Sequence, residues 1–172
     1  MSRLFLDANV PTYAAGRDHR LKQPCRDILL LAARHSASFF TDAEVLQEML
    51  HRYLALRRWP EGRDVVLDFA TLMEGSVESV TSSDAVRACK MADRYSTRPG
   101  ARLAARDLLH AAVIVRVEGE AAIVTADGDF DDLAPEGIER LDPADIETWR
   151  PRIEGVPSTG SGESSGKEEG EQ

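Results

Sequence analysis

The sequence predicts an α/β fold built around a mostly parallel sheet. Short apolar runs alternate along the chain with longer segments in which apolar residues recur at helical spacing. Alternation of strands and helices is typical of connected βαβ units, which place successive strands parallel in one sheet. The chain has 172 residues, of which 42% are hydrophobic, and this is enough for one domain with a substantial core.

The first half of the chain contains three predicted strands and three predicted helices. The strands are predicted at 3–6, 38–40 and 77–80, and two of the helices at 21–35 and 63–74. The third helix follows the second strand, where Thr41 or Asp42 is predicted to cap it and residues 45–54 supply its apolar face. Thr41 and Glu44 also match the spacing of a capping box.

In the second half, the pattern predicts helices at 84–95 and 104–117 and strands at 121–125 and 138–141. The inward face of helix 84–95 is predicted to consist of Ala85, Ala88, Cys89 and Ala92. Cys25 also lies among apolar neighbours in a helical pattern. We therefore expect two buried free thiols rather than a disulfide or a metal pair, as in a reducing cytoplasm.

Residues 1–150 are predicted to form the domain, and residues 151–172 an acidic tail rich in Gly, Ser and Glu. From Gly155 onward the tail has almost no apolar residues, so we expect it to be disordered. No segment approaches the ~20 apolar residues of a membrane span. The N-terminus reaches Asp7 too early for a signal peptide, so we expect a cytoplasmic protein.

Four carboxylates fall where predicted strands end or helices begin. Asp7 and Asp127 follow strands, while Glu48 and Asp107 lie near the starts of helices. Such positions meet at one edge of a parallel sheet, where four acids would repel each other unless a cation neutralised them. Mg²⁺ prefers oxygen ligands of this kind. The sequence therefore predicts a metal-dependent enzyme that acts on phosphates.

Other polar residues near these acids have supporting roles in the prediction. Asn9 is placed to orient a carboxylate or a bound water, and Thr125 and Asp129 to contact water on the metal. Glu44 shares a helix face with Glu48, although it also has a simpler interpretation as the capping-box partner. His110, one turn after Asp107, is expected to pack or cap rather than bind metal.

A row of basic residues leads toward the acids and consists of Arg87, Lys90, Arg94, Arg98 and Arg102. One interpretation is a track that guides phosphates, and the other is a solvated helix face; both stay open. The net charge of −9 does not exclude a nucleic-acid substrate, because cations bound by clustered acids would offset much of it.

Four segments, in this order, resemble the PIN-domain family and in particular the VapC-type toxins of bacterial toxin–antitoxin pairs: Leu4–Val10, the helix of Glu48, Arg106–Ala112 and Val124–Phe130. The resemblance implies a three-layer Rossmann-like fold, with strand order 3-2-1-4-5 and helices on both faces. It also implies Mg²⁺ or Mn²⁺ bound by Asp7, Glu48, Asp107 and Asp127. Asp127 and Asp129 are closer together than in the family's longer form, so either could face the metal.

The resemblance further implies cleavage of RNA that leaves a 5′-phosphate, and a cognate antitoxin as partner. A homodimer is compatible with the sequence. One rival interpretation is a haloacid-dehalogenase-like phosphatase, but that chemistry needs an acid two residues after the first Asp, where this chain has Asn9. The other is a non-catalytic RNA-binding PIN module, against which the retention of four acids argues.

Overall fold

The computed structural model describes residues 3–100, 102–119 and 121–155. The strands are β1 (Leu4–Leu6), β2 (Phe39–Asp42), β3 (Val77–Glu78), β4 (Ala121–Val124) and β5 (Ile138–Leu141). The helices are α1 (Asn9–Ala15), α2 (Lys22–Arg34), α3 (Ala43–Ala55), α4 (Trp59–Leu72), α5 (Ser82–Tyr95), α6 (Ala105–Glu118), α7 (Ile146–Trp149) and α8 (Pro151–Glu154). Short 3₁₀ segments occupy Ser36–Ser38, Gly128–Glu136 and Pro143–Asp145.

The five strands form one parallel sheet in the order β3-β2-β1-β4-β5, which confirms the predicted fold class and strand order. Every residue of β1, β2 and β4 is buried. Successive side chains of a strand point to opposite faces, so both faces of the central sheet are covered. The carboxyl ends of β1 and β4 therefore lie side by side at one edge.

Helix α1 falls in a segment for which no helix was predicted, and its Asn9 and Pro11 are residue types common in turns. Proline is nevertheless tolerated in the first turn of a helix, where its missing N–H needs no partner. Pro11 and Val10 are buried in α1, and the helix packs against α2. Tertiary packing thus outweighs the local turn signal. Helix α4 likewise begins at Trp59, before the predicted start, with a proline in its first turn.

Helix α5 buries only part of the predicted face: Ala88 is buried and Ala92 packs against the core. Ala85 and Cys89 are exposed, so the prediction of a buried thiol at Cys89 is wrong; Cys25 is buried and both thiols are free. The inward face consists of Asp84, Ala88, Met91 and Tyr95. Met91 and Tyr95 bury more apolar surface than the alanines could, and this sets the rotation of the helix.

Helix α3 is capped by Asp42, whose carboxylate accepts a hydrogen bond from the Val45 N–H at 2.9 Å. The hydroxyl of Thr41 instead donates to the Leu6 carbonyl oxygen at 2.9 Å, which ties β2 to β1. The predicted capping box of Thr41 and Glu44 is therefore wrong, while Asp42 is one of the two caps predicted. This arrangement fixes the start of α3 beside the carboxyl end of β1.

The predicted tail begins at residue 151, but Pro151–Glu154 form the helical turn α8. Most of the predicted tail, residues 156–172, lies outside the described residues. None of the helices in the described part of the chain has the length and apolar character needed to cross a membrane.

Candidate active site

The carboxyl ends of β1 and β4 open into a cleft of about 290 Å³. Its lining consists of Asp7, Asn9, Tyr13, Glu48, Asp107, Ala126, Asp127 and Phe130. The structure therefore brings all four predicted carboxylates to one cleft, although Asp7 and Asp127 are distant in sequence. We call Asp7, Asn9 and Thr125, which follow the two strands, the floor of the cleft. We call Glu48, Arg106 and Asp107, which belong to α3 and α6, its rim.

Asp7 is the most enclosed of the four acids, with 7% of the residue exposed. One carboxylate oxygen accepts a hydrogen bond from the Ala8 N–H at 2.7 Å. The other accepts hydrogen bonds from the Asn9 amide and, at 2.6 Å, from the Thr125 hydroxyl. Neutral donors therefore hold the carboxylate in one orientation.

Thr125 connects the two strands through its hydroxyl, which is fully buried. The Asn9 amide donates to the Thr125 hydroxyl oxygen at 2.6 Å, and the Asp127 N–H does so at 3.0 Å. The side-chain amide oxygen of Asn9 accepts a hydrogen bond from the Ala126 N–H at 3.2 Å. The supporting positions predicted for Asn9 and Thr125 thus form one network under Asp7, and this network also fixes the backbone that leads to Asp127.

Burial raises the pKa of Asp7 to about 6. The negative charge of Glu48 adds to the increase, while His110 and the hydrogen bonds from Thr125 and Ala8 oppose it. The folded protein thus holds an acid that is costly to ionise when no cation is present. A carboxylate of this kind gains stabilisation when a divalent cation binds beside it.

At the rim, Glu48 lies between two cationic side chains. Its Oε1 is 3.0 Å from Arg106 Nη1, and its Oε2 is 4.0 Å from His110 Nε2. These contacts lower the pKa of Glu48, with His110 contributing most, although partial burial opposes them. Arg106 also lies 3.6 Å from Glu44. Glu44 does not line the cleft, so the geometry favours Glu48 of the two acids left open on this helix.

Asp107 accepts a hydrogen bond from the Ala104 N–H at 2.6 Å and thereby caps α6. Burial raises its pKa, and the charges of Asp127 and Glu48 add to this effect. Asp127 is exposed and accepts the Asp129 N–H at 2.9 Å. Asp129 does not line the cleft, so Asp127 is the better placed of the two acids after β4.

His110 was expected only to pack or cap, and the structure places it directly beneath the acids. Its ring is buried, and Nδ1 lies 2.8 Å from Asp42 Oδ2. Burial opposes protonation of the ring, but the contacts with Asp42 and Glu48 outweigh it and raise the pKa of His110 to about 10. Donor atoms of Asp7, Glu48 and His110 lie within 4.8 Å of one another.

Two members of the predicted basic row, Arg94 and Arg98, lie close to acids. Arg94 forms a bidentate ion pair with Glu136 at 2.7 Å, and Arg98 lies 3.5 Å from Asp132. Arg87 and Lys90 line a separate hollow on α5. For Arg87, Lys90 and Arg102 the described part of the chain provides no ion-pair partner within 4.0 Å.

The donor set of the cleft suits a hard divalent cation. The four acids that line it supply carboxylate oxygens, which is the chemistry that Mg²⁺ and Mn²⁺ prefer. Burial is the main cause of the raised pKa of Asp7 and of Asp107, and neighbouring carboxylates add to it, so added positive charge would favour their ionised forms. Geometry and charge therefore both fit the predicted metal site.

Comparison with known proteins agrees with this arrangement. A PIN domain model matches residues 4–135. Ribonuclease VapC23 from Mycobacterium tuberculosis is 36% identical over 113 residues, which cover 66% of this chain and 84% of that protein. Ribonuclease VapC13 from the same organism is 33% identical over 138 residues, which cover 80% of this chain and 98% of that protein.

Two solved structures share the fold. A structure of FitAB bound to a DNA fragment superposes with a TM-score of 0.61 at 16% identity, covering 82% of this chain and 95% of that chain. The structure of VapBC2 from Rickettsia felis, bound to a promoter DNA fragment, has a TM-score of 0.60 at 15% identity. The match covers 81% of this chain and 97% of that chain. The family match covers strands β1 to β4 and every acid of the cleft, so the chain belongs to the PIN domain family.

Proposed function

We propose that this protein is an endoribonuclease dependent on Mg²⁺ or Mn²⁺ and the toxin of a VapBC-type toxin–antitoxin module. The observation that carries the proposal is the convergence of four carboxylates on one open cleft above a fixed hydrogen-bond network. The relatives named ribonuclease VapC, which match most of the domain, support the same activity.

In this proposal Asp7, Glu48, Asp107 and Asp127 hold the cation. When bound, the cation supplies Lewis acidity toward water and the phosphate oxygens. Asn9 and Thr125 hold the Asp7 carboxylate through neutral donors, so its orientation is set before a cation arrives. Hydrolysis adds the oxygen of water to phosphorus and breaks the bond to the 3′ oxygen, leaving a 5′-phosphate and a 3′-hydroxyl.

In this proposal two further side chains contact the RNA. The Tyr13 ring lines the cleft and stacks on His19, with ring centroids 4.9 Å apart, and so offers an aromatic surface to a nucleobase. The Arg106 guanidinium lies at the rim with 35% of its side chain exposed, and can turn from Glu48 toward a phosphate.

The test uses the purified protein and a labelled single-stranded RNA. We expect cleavage with Mg²⁺ or Mn²⁺, loss of cleavage in EDTA, recovery when the cation is returned, and 5′-phosphate ends on the products. Titration calorimetry should show cation binding by the wild-type protein. RNA binding without cleavage and without cation binding would favour the non-catalytic module. Hydrolysis of a small phosphomonoester would favour the phosphatase instead. The match to the PIN domain family argues against that alternative.

The proposed partners are RNA and a cognate antitoxin, and the proposed compartment is the cytoplasm. The solved VapBC2 structure, which shares the fold, supports the antitoxin. If the proposal is correct, the adjacent open reading frame encodes a small protein that copurifies with this chain. That protein should restore growth when both are expressed, and failure to do so would contradict the toxin–antitoxin assignment.

A further inference from the structure

A buried ion pair lies beneath the cleft and is not used by the mechanism proposed above. His110 of α6 and Asp42 at the start of α3 are 1% and 0% exposed at their side chains, and Nδ1 is 2.8 Å from Oδ2. The other carboxylate oxygen of Asp42 caps α3 through Val45. Asp42 therefore fixes the His110 ring relative to the helix that carries Glu48.

The second ring nitrogen of His110 is the informative atom. Nε2 is buried and has no hydrogen-bond partner in the described part of the chain. It lies 4.0 Å from Glu48 Oε2, which is an ion-pair distance and too long for a hydrogen bond. A buried polar atom without a partner costs about 1–3 kcal/mol, so a histidine selected for packing alone would be a poor choice at this position.

The order of the groups indicates how His110 acts. Glu48 lines the cleft, whereas His110 does not, although its donor atom lies within 4.8 Å of those of Asp7 and Glu48. The other carboxylate oxygen of Glu48, Oε1, contacts Arg106. The Arg106 side chain is about one-third exposed, so it is free to move away from Glu48. Of the two cationic neighbours, His110 is thus the fixed one, and it limits the positions that the Glu48 carboxylate can take.

We propose that Asp42 and His110 form a buried support that positions Glu48 for the cation. This proposal rests on the metal-dependent function proposed above. In this proposal His110 is a positioning residue, because it acts through Glu48 and is not among the residues that line the cleft. It corresponds to the outer partners that orient metal-binding carboxylates in other proteins, whose removal typically weakens metal affinity about 10- to 100-fold.

The test uses two variants that distinguish the roles of the two ring nitrogens of His110. In His110→Asn the amide nitrogen can replace Nδ1 and bond to Asp42, but it cannot reach Glu48. In His110→Gln the amide nitrogen can replace Nε2 and reach Glu48. His51→Asn makes the same change at an exposed position of α3 and is the matched control. Calorimetric titration with Mn²⁺ gives the affinity, and melting in EDTA reports the fold.

We expect His110→Asn to bind Mn²⁺ about 10- to 100-fold more weakly. His110→Gln should recover part of the loss, and His51→Asn should match the wild type. For RNA cleavage, kcat should fall in His110→Asn at limiting Mn²⁺ while KM for RNA changes little. A folded His110→Asn protein with wild-type affinity would overturn the proposal. A wild-type protein that binds no cation would instead overturn the proposed function itself.

The wild-type protein provides a second test if the buried variants fail to fold. The ring nitrogens of its histidines can be followed by ¹⁵N NMR during titration with Mg²⁺. We expect the Nε2 signal of His110 to shift on saturation while those of His19, His35 and His51 stay unchanged. An unchanged His110 signal at saturating Mg²⁺ would overturn the proposal, because Glu48 would then have moved independently of His110.

Discussion

The floor and the rim of the cleft hold their carboxylates in different ways. On the floor, Asp7 is buried and receives hydrogen bonds from neutral groups of Asn9, Ala8 and Thr125. On the rim, Glu48 is about one-third exposed and pairs with the charged Arg106. Neutral donors orient a carboxylate without cancelling its charge, whereas a guanidinium cancels it.

The floor and the rim are therefore expected to respond differently when a cation binds. The floor is set before a cation arrives and does not compete with it. At the rim, Arg106 competes with the cation for Glu48, so binding there involves an exchange of partners. Substitutions on the floor should therefore remove activity outright, whereas substitutions at the rim should change affinities by smaller factors.

The largest effect is expected for Asp7→Asn. The substitution keeps the volume and removes a charge that the cation needs, so cleavage should fall by about a thousandfold or more. Melting in EDTA at pH 8 should be no lower than for the wild type, because a costly buried charge is lost. Glu74→Gln, at an exposed position before β3, is the charge-matched control. Normal cleavage by Asp7→Asn would contradict the four-acid site.

The second prediction compares two acids one turn apart on α3. Glu48→Gln should weaken Mn²⁺ binding about 10- to 100-fold, because a charged ligand is lost. Glu44→Gln should change it less than threefold, since Glu44 contacts Arg106 but does not line the cleft. Calorimetry on both variants decides between them. A larger effect for Glu44 would assign the helical ligand to the other acid.

The third prediction concerns pH. Because the pKa of Asp7 rises from 3.8 to about 6 on folding, protons and cations compete for it below pH 6. Mg²⁺ affinity should be level above pH 7 and fall about tenfold per pH unit below 6. Without metal, the raised pKa means that the folded state binds this proton more tightly. Its contribution to stability is therefore present at low pH and is lost as pH rises from about 4 to 6. A flat affinity between pH 5 and 7 would contradict this.

A smaller effect is expected for Arg106→Gln. The Arg106–Glu48 pair is about one-third exposed, and such pairs contribute about 0.2–1 kcal/mol. Removal of the competitor should therefore tighten Mn²⁺ binding by up to about fivefold, while KM for RNA rises. Weaker Mn²⁺ binding in this variant would mean that Arg106 supports the rim rather than competing there.

The smallest effect tests the basic row. Reversal of Arg87 and Lys90 to Glu should weaken RNA binding and lower the salt slope by about 0.7 for each lost phosphate contact. Reversal of Lys22 and Arg34 on α2 provides a control with the same change in charge. Equal salt slopes for both double variants would show that Arg87 and Lys90 belong to a solvated helix face.

The elements and site residues that could be predicted from the sequence are those that depend on a local pattern of residues. Asp7 and Asp127 were found because each follows an apolar run, and the topology of a parallel sheet then places such ends together. The strand order came from the family resemblance. Cys89 was assigned to the wrong face of α5, because small residues give little indication of which side of a helix is buried.

The parts that the sequence did not predict depend on distant partners. The pairing of Arg94 with Glu136 joins positions 42 residues apart. His110 and Asp42 are separated by 68 residues. No local pattern marks either pair, because the partner comes near only after the sheet has formed. The contact between His110 and Asp42 was not predicted for this reason, although Glu48 was predicted as a site residue.

The bond between Thr125 and Asp7 spans 118 residues, and this separation has a consequence for translation. A ribosome delivers Asp7 almost at once and Thr125 only after most of the domain. Until β4 is released, a nascent chain carries the first acids without the hydroxyl that orients them. A partly made copy therefore has no complete cleft, and the floor can form only after β4 and Thr125 have been synthesised.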